Sequence, residues 1–313
     1  YSLKVYGLTV TEKIIKPLMR KLYGLELKAL QPSAIGLVGY SRFIGFDRFQ
    51  THELKTSKFF DQKFGHTTWD DGLSPLMNFY PCRGGVQIWL DDIILKLREN
   101  GVVIRSGTEV CSVRKGDDSV ESIDLGNENI KVDQLYWTVS PAILLKVMGQ
   151  PFPLGLTPPE FRSTALVNLI FDRNFETDLW FYYCHDPEKI SYRTTLYSNL
   201  RSENQHTAPF NCTVEVMSDA QTCESPDLVE RLQGEMYEMG VISKKHEIKY
   251  RKVFSSTRGF PLPTVGFGEN SLKLTEHCQA QAKNVTMFGR ATGKTHFMHE
   301  VLSEIWSVLG DGD

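Results

Sequence analysis

Apolar side chains recur at helical spacing in several stretches of the chain and alternate with polar side chains in others. The helical pattern is clearest over residues 86–100, and we expect that helix to bury Ile88, Leu90, Ile93, Ile94 and Leu97. Further helices are predicted over residues 9–30, 227–239, 271–282 and 297–309. Strands are predicted over residues 102–104, 109–114, 120–125, 130–139, 164–171, 179–184, 191–198, 211–217 and 284–288, with a loop over residues 259–268.

The composition is that of an ordinary globular protein, and it narrows the classes of function. The chain has 313 residues, of which 41% are apolar, and its 35 basic and 38 acidic side chains give a net charge of −3. Because no excess of positive charge attracts nucleic acid or an anionic membrane, we expect a small-molecule ligand instead. No apolar run approaches the roughly 20 residues of a membrane span. A soluble, cytoplasmic protein is therefore expected.

Cysteine usage gives no sign of a metal centre or of a disulfide framework. The six cysteines are scattered through the chain, with no C-x-x-C pair and no companion histidine at zinc-ligand spacing. We therefore expect reduced, mostly buried thiols and no bound metal.

Two glycines precede the helix predicted over residues 86–100. Arg83, Gly84 and Gly85 lead into it, a strand follows, and Val110 lies in the next strand. Glycines allow a helix N-terminus to approach its neighbours closely, and the main chain at Val110 offers an N–H and a C=O to an adenine edge. This order of elements resembles the flavin lobe of the FAD-dependent amine-oxidase-like superfamily, which implies FAD binding at Gly84, Gly85 and Val110. The alternative is a capped helix followed by an ordinary β-meander.

Near the C-terminus, a predicted strand ends at Gly289 and Arg290, and a helix begins near Phe297 and Met298. Unpaired N–H groups at a helix N-terminus favour an anionic ring edge or a phosphate. The run is similar to the closing motif of UDP-galactopyranose mutases and their relatives. That resemblance implies that Arg290 reaches the FAD pyrophosphate and that the amides near Phe297 and Met298 face the isoalloxazine.

The same turn also has some features of the phosphate-binding loop of NTPases, because Gly293, Lys294 and Thr295 lie between a strand and a helix. That motif requires four residues between its two glycines, and the position that this demands is occupied by Phe288. A loop that is one residue short cannot wrap a β-phosphate with its amides in the usual way. Nucleotide binding through the loop from Gly289 to Thr295 is kept as a minor alternative.

The middle of the chain carries candidates for substrate binding. Tyr192 and Arg193 lie on a predicted strand, and Arg258 precedes a proline-containing loop. The order of elements resembles the substrate domain of mutase-like and protoporphyrinogen-oxidase-like proteins linked to surface polysaccharide synthesis. An arginine on such a strand can form two parallel hydrogen bonds to a phosphate or carboxylate, which favours Arg193 first and Arg258 second. An ion pair between Arg193 and Glu215 is the alternative.

Flavoenzymes of this class hold the FAD pyrophosphate with a Gly-x-Gly-x-x-Gly turn and the ribose with an acid about 20 residues later. Neither occurs in residues 1–80. The resemblance implies FAD as the cofactor, whereas the missing turn argues against FAD binding by this chain alone. We therefore expect a fragment that self-associates through an exposed flavin lobe. No side chain is assigned as the catalytic group, because in these enzymes the flavin carries out the chemistry.

Two functions remain open at this point. One is a flavin-dependent oxidoreductase or mutase-like isomerase that acts on a polar, nucleotide-linked or prenyl-linked sugar, and the other is a flavin-free binding or scaffold remnant of that fold. The predicted fold class is α/β or α+β, with an incomplete FAD-binding Rossmann-like lobe interleaved with an antiparallel-sheet substrate lobe. The flavin lobe is predicted to comprise residues 81–148 and 269–313, and the substrate lobe a helical part, 1–80, and residues 149–268.

Overall fold

A computed structural model describes residues 1–38, 45–61, 64, 81, 84–200 and 209–310. The chain forms two compact units, of which unit 1 comprises Tyr1–Val102 and Phe161–Leu262, and unit 2 comprises Val103–Glu160 and Pro263–Asp313. The helices are α1 (Ser2–Val10), α2 (Lys16–Tyr23), α3 (Ala34–Leu37), α4 (Arg48–Lys55), α5 (Lys58–Asp61), α6 (Val86–Glu99), α7 (Pro141–Val147), α8 (Tyr197–Leu200), α9 (Ala220–Cys223), α10 (Leu228–Glu238), α11 (Phe267–Gln279) and α12 (Met298–Leu309). The strands are β1 (Ser112–Lys115), β2 (Val120–Asp124), β3 (Asn129–Lys131), β4 (Leu135–Trp137), β5 (Phe161–Phe171), β6 (Phe181–Tyr183), β7 (Ser191–Leu196), β8 (Phe210–Ser218), β9 (Ile248–Pro261) and β10 (Val285–Met287).

An antiparallel sheet of five strands, in the order β6-β7-β8-β5-β9, forms the centre of unit 1. β5 pairs with β8 from Ser163 to Phe171 and with β9 from Phe161 to Phe171. Side chains along a strand point alternately to the two faces of a sheet. In β5 this alternation separates a fully buried set from a set that reaches solvent.

One face of this sheet, here called the covered face, packs against α10. Ala165, Val167 and Leu169 on β5 have no exposed surface, and they share a core cluster with Leu232 and Met236 of α10. Burial of such side chains stabilises a fold by roughly 1.5–3 kcal/mol each. The alternate position Leu166 is 42% exposed, so the opposite side of the sheet is accessible there.

The N-terminal helices cover one end of that opposite side. α1 continues through a π-helical turn, Thr11–Ile15, into α2, which ends at Gly24 in the left-handed conformation (φ 69°). Leu18 and Leu22 are buried in a cluster that includes Tyr192 and Met217 of the sheet. The remainder of that side, here called the open face, lies beyond this cluster.

Unit 2 is built from a three-stranded antiparallel meander, β1-β2-β3, and a parallel pair, β10-β4. Helices α7 and α11 contribute Leu144, Leu145, Leu274 and Cys278 to a core that these strands share. The Asn284 side chain ties the two sheets together, because its Oδ1 accepts from the Val120 amide at 2.7 Å and its Nδ2 donates to the Asp133 carbonyl at 3.0 Å.

The mixed helix-and-sheet architecture with an antiparallel sheet matches the predicted fold class, and α6, α10, α12, β2 and β8 lie within about two residues of their predicted bounds. β5 ends where predicted but begins three residues earlier, at Phe161. Several element predictions were wrong. Residues 102–104 form no strand, because no described strand pairs with them. The strand predicted over 130–139 is two strands, β3 and β4, and the helix predicted over 9–30 ends at Tyr23. β9, which runs into the predicted loop over 259–268, and α7 were not predicted. Part of the aromatic-rich segment before Tyr80 lies outside the described residues.

The expected burial of the α6 face was also wrong. No residue of α6 is buried, and Ile88, Leu90, Ile93 and Leu97 each expose at least 36% of their surface. The helix nevertheless has the predicted bounds within one residue, Val86–Glu99. The apolar pattern therefore predicts the helix itself but not the burial of its face.

The division of the chain into units differs from the predicted lobes at three places. Residues 81–102 cluster with unit 1, whereas they were predicted to begin the flavin lobe, and residues 149–160 and 263–268 cluster with unit 2. Each unit is built from two separate stretches of chain. The assignment of the units to a flavin lobe and a substrate lobe stays a prediction.

Replacing Leu232 with alanine should destabilise unit 1 strongly, because the side chain is fully buried beneath the sheet. We expect a loss of about 2–5 kcal/mol in the free energy of unfolding, measured by urea denaturation. The neighbouring exposed residue supplies the control, since Arg231→Ala should change that free energy by less than about 0.5 kcal/mol. Equal losses in the two variants would contradict the packing of α10 on the sheet.

Candidate functional site

Strand register brings a group of polar side chains together on the open face. Glu215 on β8 lies opposite Arg193 on β7 and Leu166 on β5. Two residues before Glu215 on β8, Thr213 lies opposite Thr195 and Asn168. Directly opposed residues point to the same side of an antiparallel sheet. The open face therefore combines a cation, a carboxylate, hydroxyls and an amide.

Arg193 and Glu215 form the most polar contact on this face. The guanidinium donates to Glu215 Oε1 from Nε at 2.8 Å and from Nη2 at 2.6 Å. Burial alone lowers the pKa of Arg193, but the adjacent Glu215 carboxylate outweighs it and raises the pKa above its ordinary value. The side chain of Arg193 is 40% exposed, so a permanently charged guanidinium faces solvent. This is the ion pair that the sequence left as the alternative to substrate binding.

Aromatic side chains border the pair. The Arg193 Cζ atom lies 6.0 Å from the centroid of the Tyr183 ring, which itself contacts the buried cluster below α2. Farther along β6, Phe181 lies opposite Thr195, and its ring centroid is 4.1 Å from that of the half-exposed Trp180. The open face thus offers flat apolar surfaces beside its charged pair.

The two other predicted substrate residues lie elsewhere. Tyr192 is buried, and its hydroxyl donates to the Val38 carbonyl at 3.3 Å. Burial raises the pKa of Tyr192, which keeps its hydroxyl protonated. Arg258 is exposed on β9. β9 lies three strand positions away from β7 in the sheet, so the two strands are about 14 Å apart. Tyr192 is therefore part of the core, and Arg258 and Arg193 are too far apart to bind one phosphate together.

Several open-face residues were missed by the sequence reasoning. Thr213 Oγ1 donates to Asn168 Oδ1 at 2.7 Å, and the Lys252 ammonium lies 4.6 Å from the centroid of the Phe254 ring. Lys252 lies opposite Asn168 in the β5–β9 ladder. Tyr250, Lys252 and Phe254 occupy every second position of β9, and this pattern could have predicted the strand, but β9 was not predicted.

The turn after β10 packs tightly within unit 2. Gly289 has a φ of 96°, and a Cβ atom there would lie 3.4 Å from the Thr138 carbonyl oxygen. The buried Thr292 hydroxyl donates to the Gly289 carbonyl at 2.8 Å. A glycine is required at position 289 for this backbone conformation. Arg290 extends from the turn and is exposed.

The NTPase alternative finds no support in this turn. Residues Arg290–Thr292 form a 3₁₀ turn, so the Thr292 amide donates to the Gly289 carbonyl and is not free to bind a phosphate. Lys294 lies near Glu304, at 4.0 Å between Nζ and Oε1. The loop is therefore closed by its own hydrogen bonds.

The start of α12 is already occupied by a carboxylate of the same helix. Glu300 Oε2 accepts from the His296 and Phe297 amides, each at 2.8 Å. These two hydrogen bonds lower the pKa of Glu300, so it stays ionised. The Phe297 amide, predicted to face the flavin, is therefore engaged, whereas the Met298 side chain is exposed.

The remaining predicted cofactor residues fall in different units. Gly84 and Gly85, with φ of 67° and 64°, belong to unit 1, whereas Val110, Gly289 and the start of α12 belong to unit 2. Val110 is half-buried against the core of unit 2. Convergence of these residues on one dinucleotide stays a prediction, and Arg83 lies outside the described residues.

Within the described ranges, no group of three or more histidine, cysteine or acidic side chains is arranged to hold a metal ion. Nor does any helix in that part of the chain combine the length and apolarity needed to cross a bilayer.

Comparisons with known protein families and with curated proteins find no match by sequence. Among solved structures, the chain is similar to a reduced UDP-galactopyranose mutase, with a TM-score of 0.67 and 15% identity over 93% of this chain and 60% of the mutase chain. It is also similar to a protoporphyrinogen-oxidase-like protein from Exiguobacterium sp. 255-15, with a TM-score of 0.51 and 18% identity over 64% of this chain and 46% of the other. The chain thus shares its fold with these two structures and spans 60% or less of their length.

The Glu300 carboxylate should stabilise α12 at neutral pH. We expect Glu300→Gln to lower the free energy of unfolding by less than about 1 kcal/mol, because the side chain is largely solvated. The folded-state pKa lies below the ordinary 4.5, so this contribution is complete above that value and is lost as the pH falls through the folded pKa. Urea unfolding at several pH values measures the difference. Glu276→Gln, at an exposed position on α11, is the charge-matched control. If the difference in unfolding free energy between the wild type and Glu300→Gln widens in acid, the assignment is contradicted.

Proposed function

We propose that this chain is the substrate-binding and closing part of a flavin-dependent oxidoreductase or mutase-like protein, and that its substrate is a polar, nucleotide-linked sugar. The Arg193–Glu215 pair on the open face is the observation that carries the proposal. The similarity in fold to a UDP-galactopyranose mutase supports the same class of substrate. A role in surface polysaccharide synthesis is part of this proposal.

The open face has the chemistry that such a substrate requires. A guanidinium carries five N–H donors, of which Glu215 accepts two and Tyr183 another, so donors remain for a phosphate oxygen. The partly exposed side chains of Thr195 and Asn168 can bind sugar hydroxyls. Trp180 and Phe181 supply flat surfaces on which a base or sugar ring can stack.

FAD fits the described residues only in part. The sequence contains no Gly-x-Gly-x-x-Gly turn in residues 1–80, and Glu300 competes for the amides at the start of α12. A carboxylate at that position also repels an anionic cofactor group. We therefore assign FAD to the complete protein and not to this chain alone, and we derive no catalytic step through it.

Exposed apolar surfaces support the need for a further segment. In unit 1, every described residue of α6 reaches solvent, and in unit 2 the same is true of α12, where Trp306 is 78% exposed. Apolar surface left in water costs about 25 cal/mol per Å². We propose that a dinucleotide-binding segment, on the same polypeptide or on another, covers these helices. Without it, the chain should self-associate.

A flavin-free binding module is the second candidate function. The occupied amides at the start of α12 favour it, while the open face serves equally in both cases. In either case we propose a cytoplasmic location, which the free thiols of Cys111, Cys184, Cys212, Cys223 and Cys278 support.

Replacing Arg193 with lysine should weaken the binding of UDP-galactose by roughly tenfold, because a lysine keeps the charge but loses the planar fork. Isothermal titration calorimetry with purified protein measures the affinity. Arg193→Met combined with Glu215→Met removes the pair without leaving an unpaired carboxylate, and it should abolish binding while the fold is retained by circular dichroism. Arg231→Ala, on the helix behind the covered face, should bind like the wild type. Equal affinities for the wild type and Arg193→Lys would contradict the proposal.

Purified protein should show no visible flavin absorbance, and it should still show none after incubation with FAD and removal of the unbound cofactor. The reason is that the pyrophosphate-binding turn is not present in residues 1–80. Absorbance spectra before and after gel filtration with excess FAD test this. Retention of stoichiometric flavin would contradict the assignment of FAD to the complete protein, while UDP-galactose binding would be unaffected by that result.

A further inference from the structure

β9 is the outer strand of the sheet in unit 1, and it is exposed along most of its length. It pairs with β5 on one side, and no strand within the described residues pairs with its other side. Residues 249–259 are all exposed. In an antiparallel ladder, every second residue directs its N–H and C=O away from the partner strand. β9 therefore presents a row of main-chain donors and acceptors to any added strand.

A groove lies beside β9 on the covered face. Its volume is about 460 Å³, and it is lined by Leu228 and Val229 at the start of α10 and by Arg251, Val253 and Ser255 of β9. The residues opposite Val253 and Ser255 on β5, Val167 and Ala165, are fully buried, whereas Val253 is 42% exposed. The helical layer thus covers β5 but leaves space next to β9 for small apolar side chains.

The charge of β9 indicates the chemistry of the partner. Lys249, Arg251, Lys252 and Arg258 lie on this strand, which contains no acidic residue. Lys249 and Arg251 pair with Glu247 and Glu230, at 2.7 Å and 3.0 Å.

Two of the four cations are left for a partner. No carboxylate of the described residues lies within salt-bridge distance of Lys252 or Arg258, and the Lys252 ammonium instead lies near the Phe254 ring. A second copy of β9 would set like charges against each other, which destabilises strand pairing. An acidic strand would neutralise them.

We propose that β9 binds an extended acidic segment of another protein as a sixth strand of the sheet. Carboxylates of that segment lie near Lys252, on the open-face side, and near Arg258, and its alternate, small apolar side chains enter the groove between β9 and α10. The main-chain ladder supplies affinity, while the groove and the cations select the sequence. This interaction does not depend on the proposed substrate or cofactor.

A labelled peptide of alternating glutamate and valine, about 10 residues long, is the probe. Fluorescence anisotropy should detect binding to the full chain, and a peptide of alternating lysine and valine should not bind. Lys252→Glu combined with Arg258→Glu should weaken binding at least tenfold. Lys131→Glu combined with Lys146→Glu makes the same charge change on exposed residues of unit 2 and should leave binding unchanged. Ser255→Phe, which fills the groove, should also weaken binding.

Hydrogen exchange identifies the binding mode, because strand addition should protect amides within residues 248–261. Equal binding by both double variants, or protection confined to other segments, would overturn the proposal. So would a concentration-dependent dimer that protects β9 without any peptide, since the occupant would then be a second copy. Circular dichroism shows whether the Lys252/Arg258 double variant folds. If it does not fold, the comparison of peptides on the wild type decides, and equal binding of the acidic and basic peptides would overturn the proposal.

Discussion

β5 forms hydrogen-bonded ladders along both of its edges, with β8 and β9, and its register decides which side chains of unit 1 are buried. Ala165, Val167 and Leu169 fill the core beneath α10 only in this register. A slip of one residue would expose them and bury Asn168 instead. The same constraint that builds the core therefore places Arg193 and Glu215 on the open face, so the stability of the sheet and the geometry of the candidate site have one cause.

Sequence reasoning succeeded where the period of apolar residues was strong. The bounds of α6 followed from its helical pattern alone, the end of β5 at Phe171 was predicted but not its start, and Glu215 was named as the alternative partner of Arg193. Tyr192 was misjudged because a register shift between Ser191 and Arg193 removes it from the regular alternation and directs it into the core. Such a shift depends on pairing with β8, which no local pattern reveals. The engagement of the α12 amides by Glu300 also depends on a side-chain conformation that the spacing alone did not decide.

α6 illustrates the opposite limit, in which an apolar pattern is present but no residue that carries it is buried in the part of the chain that the structure describes. α6 carries the apolar spacing of a buried helix and has no buried residue, because helical propensity and length fix the element while burial requires a neighbour. In unit 2, β4 and β10 form a parallel pair, an arrangement that normally lies within a larger sheet covered by helices. The chain spans 60% of the length of the mutase structure it resembles in fold. The dinucleotide-binding segment that we propose would account for both.

We propose that the open face of the sheet binds the phosphate of a nucleotide-linked sugar through Arg193. A crystal structure of the chain with UDP-galactose tests this most directly. We expect a diphosphate oxygen within about 3.2 Å of the Arg193 guanidinium, with the sugar over Thr195 and Asn168. A diphosphate bound at the Gly289 turn, with Arg193 still contacting only Glu215 and Tyr183, would contradict it.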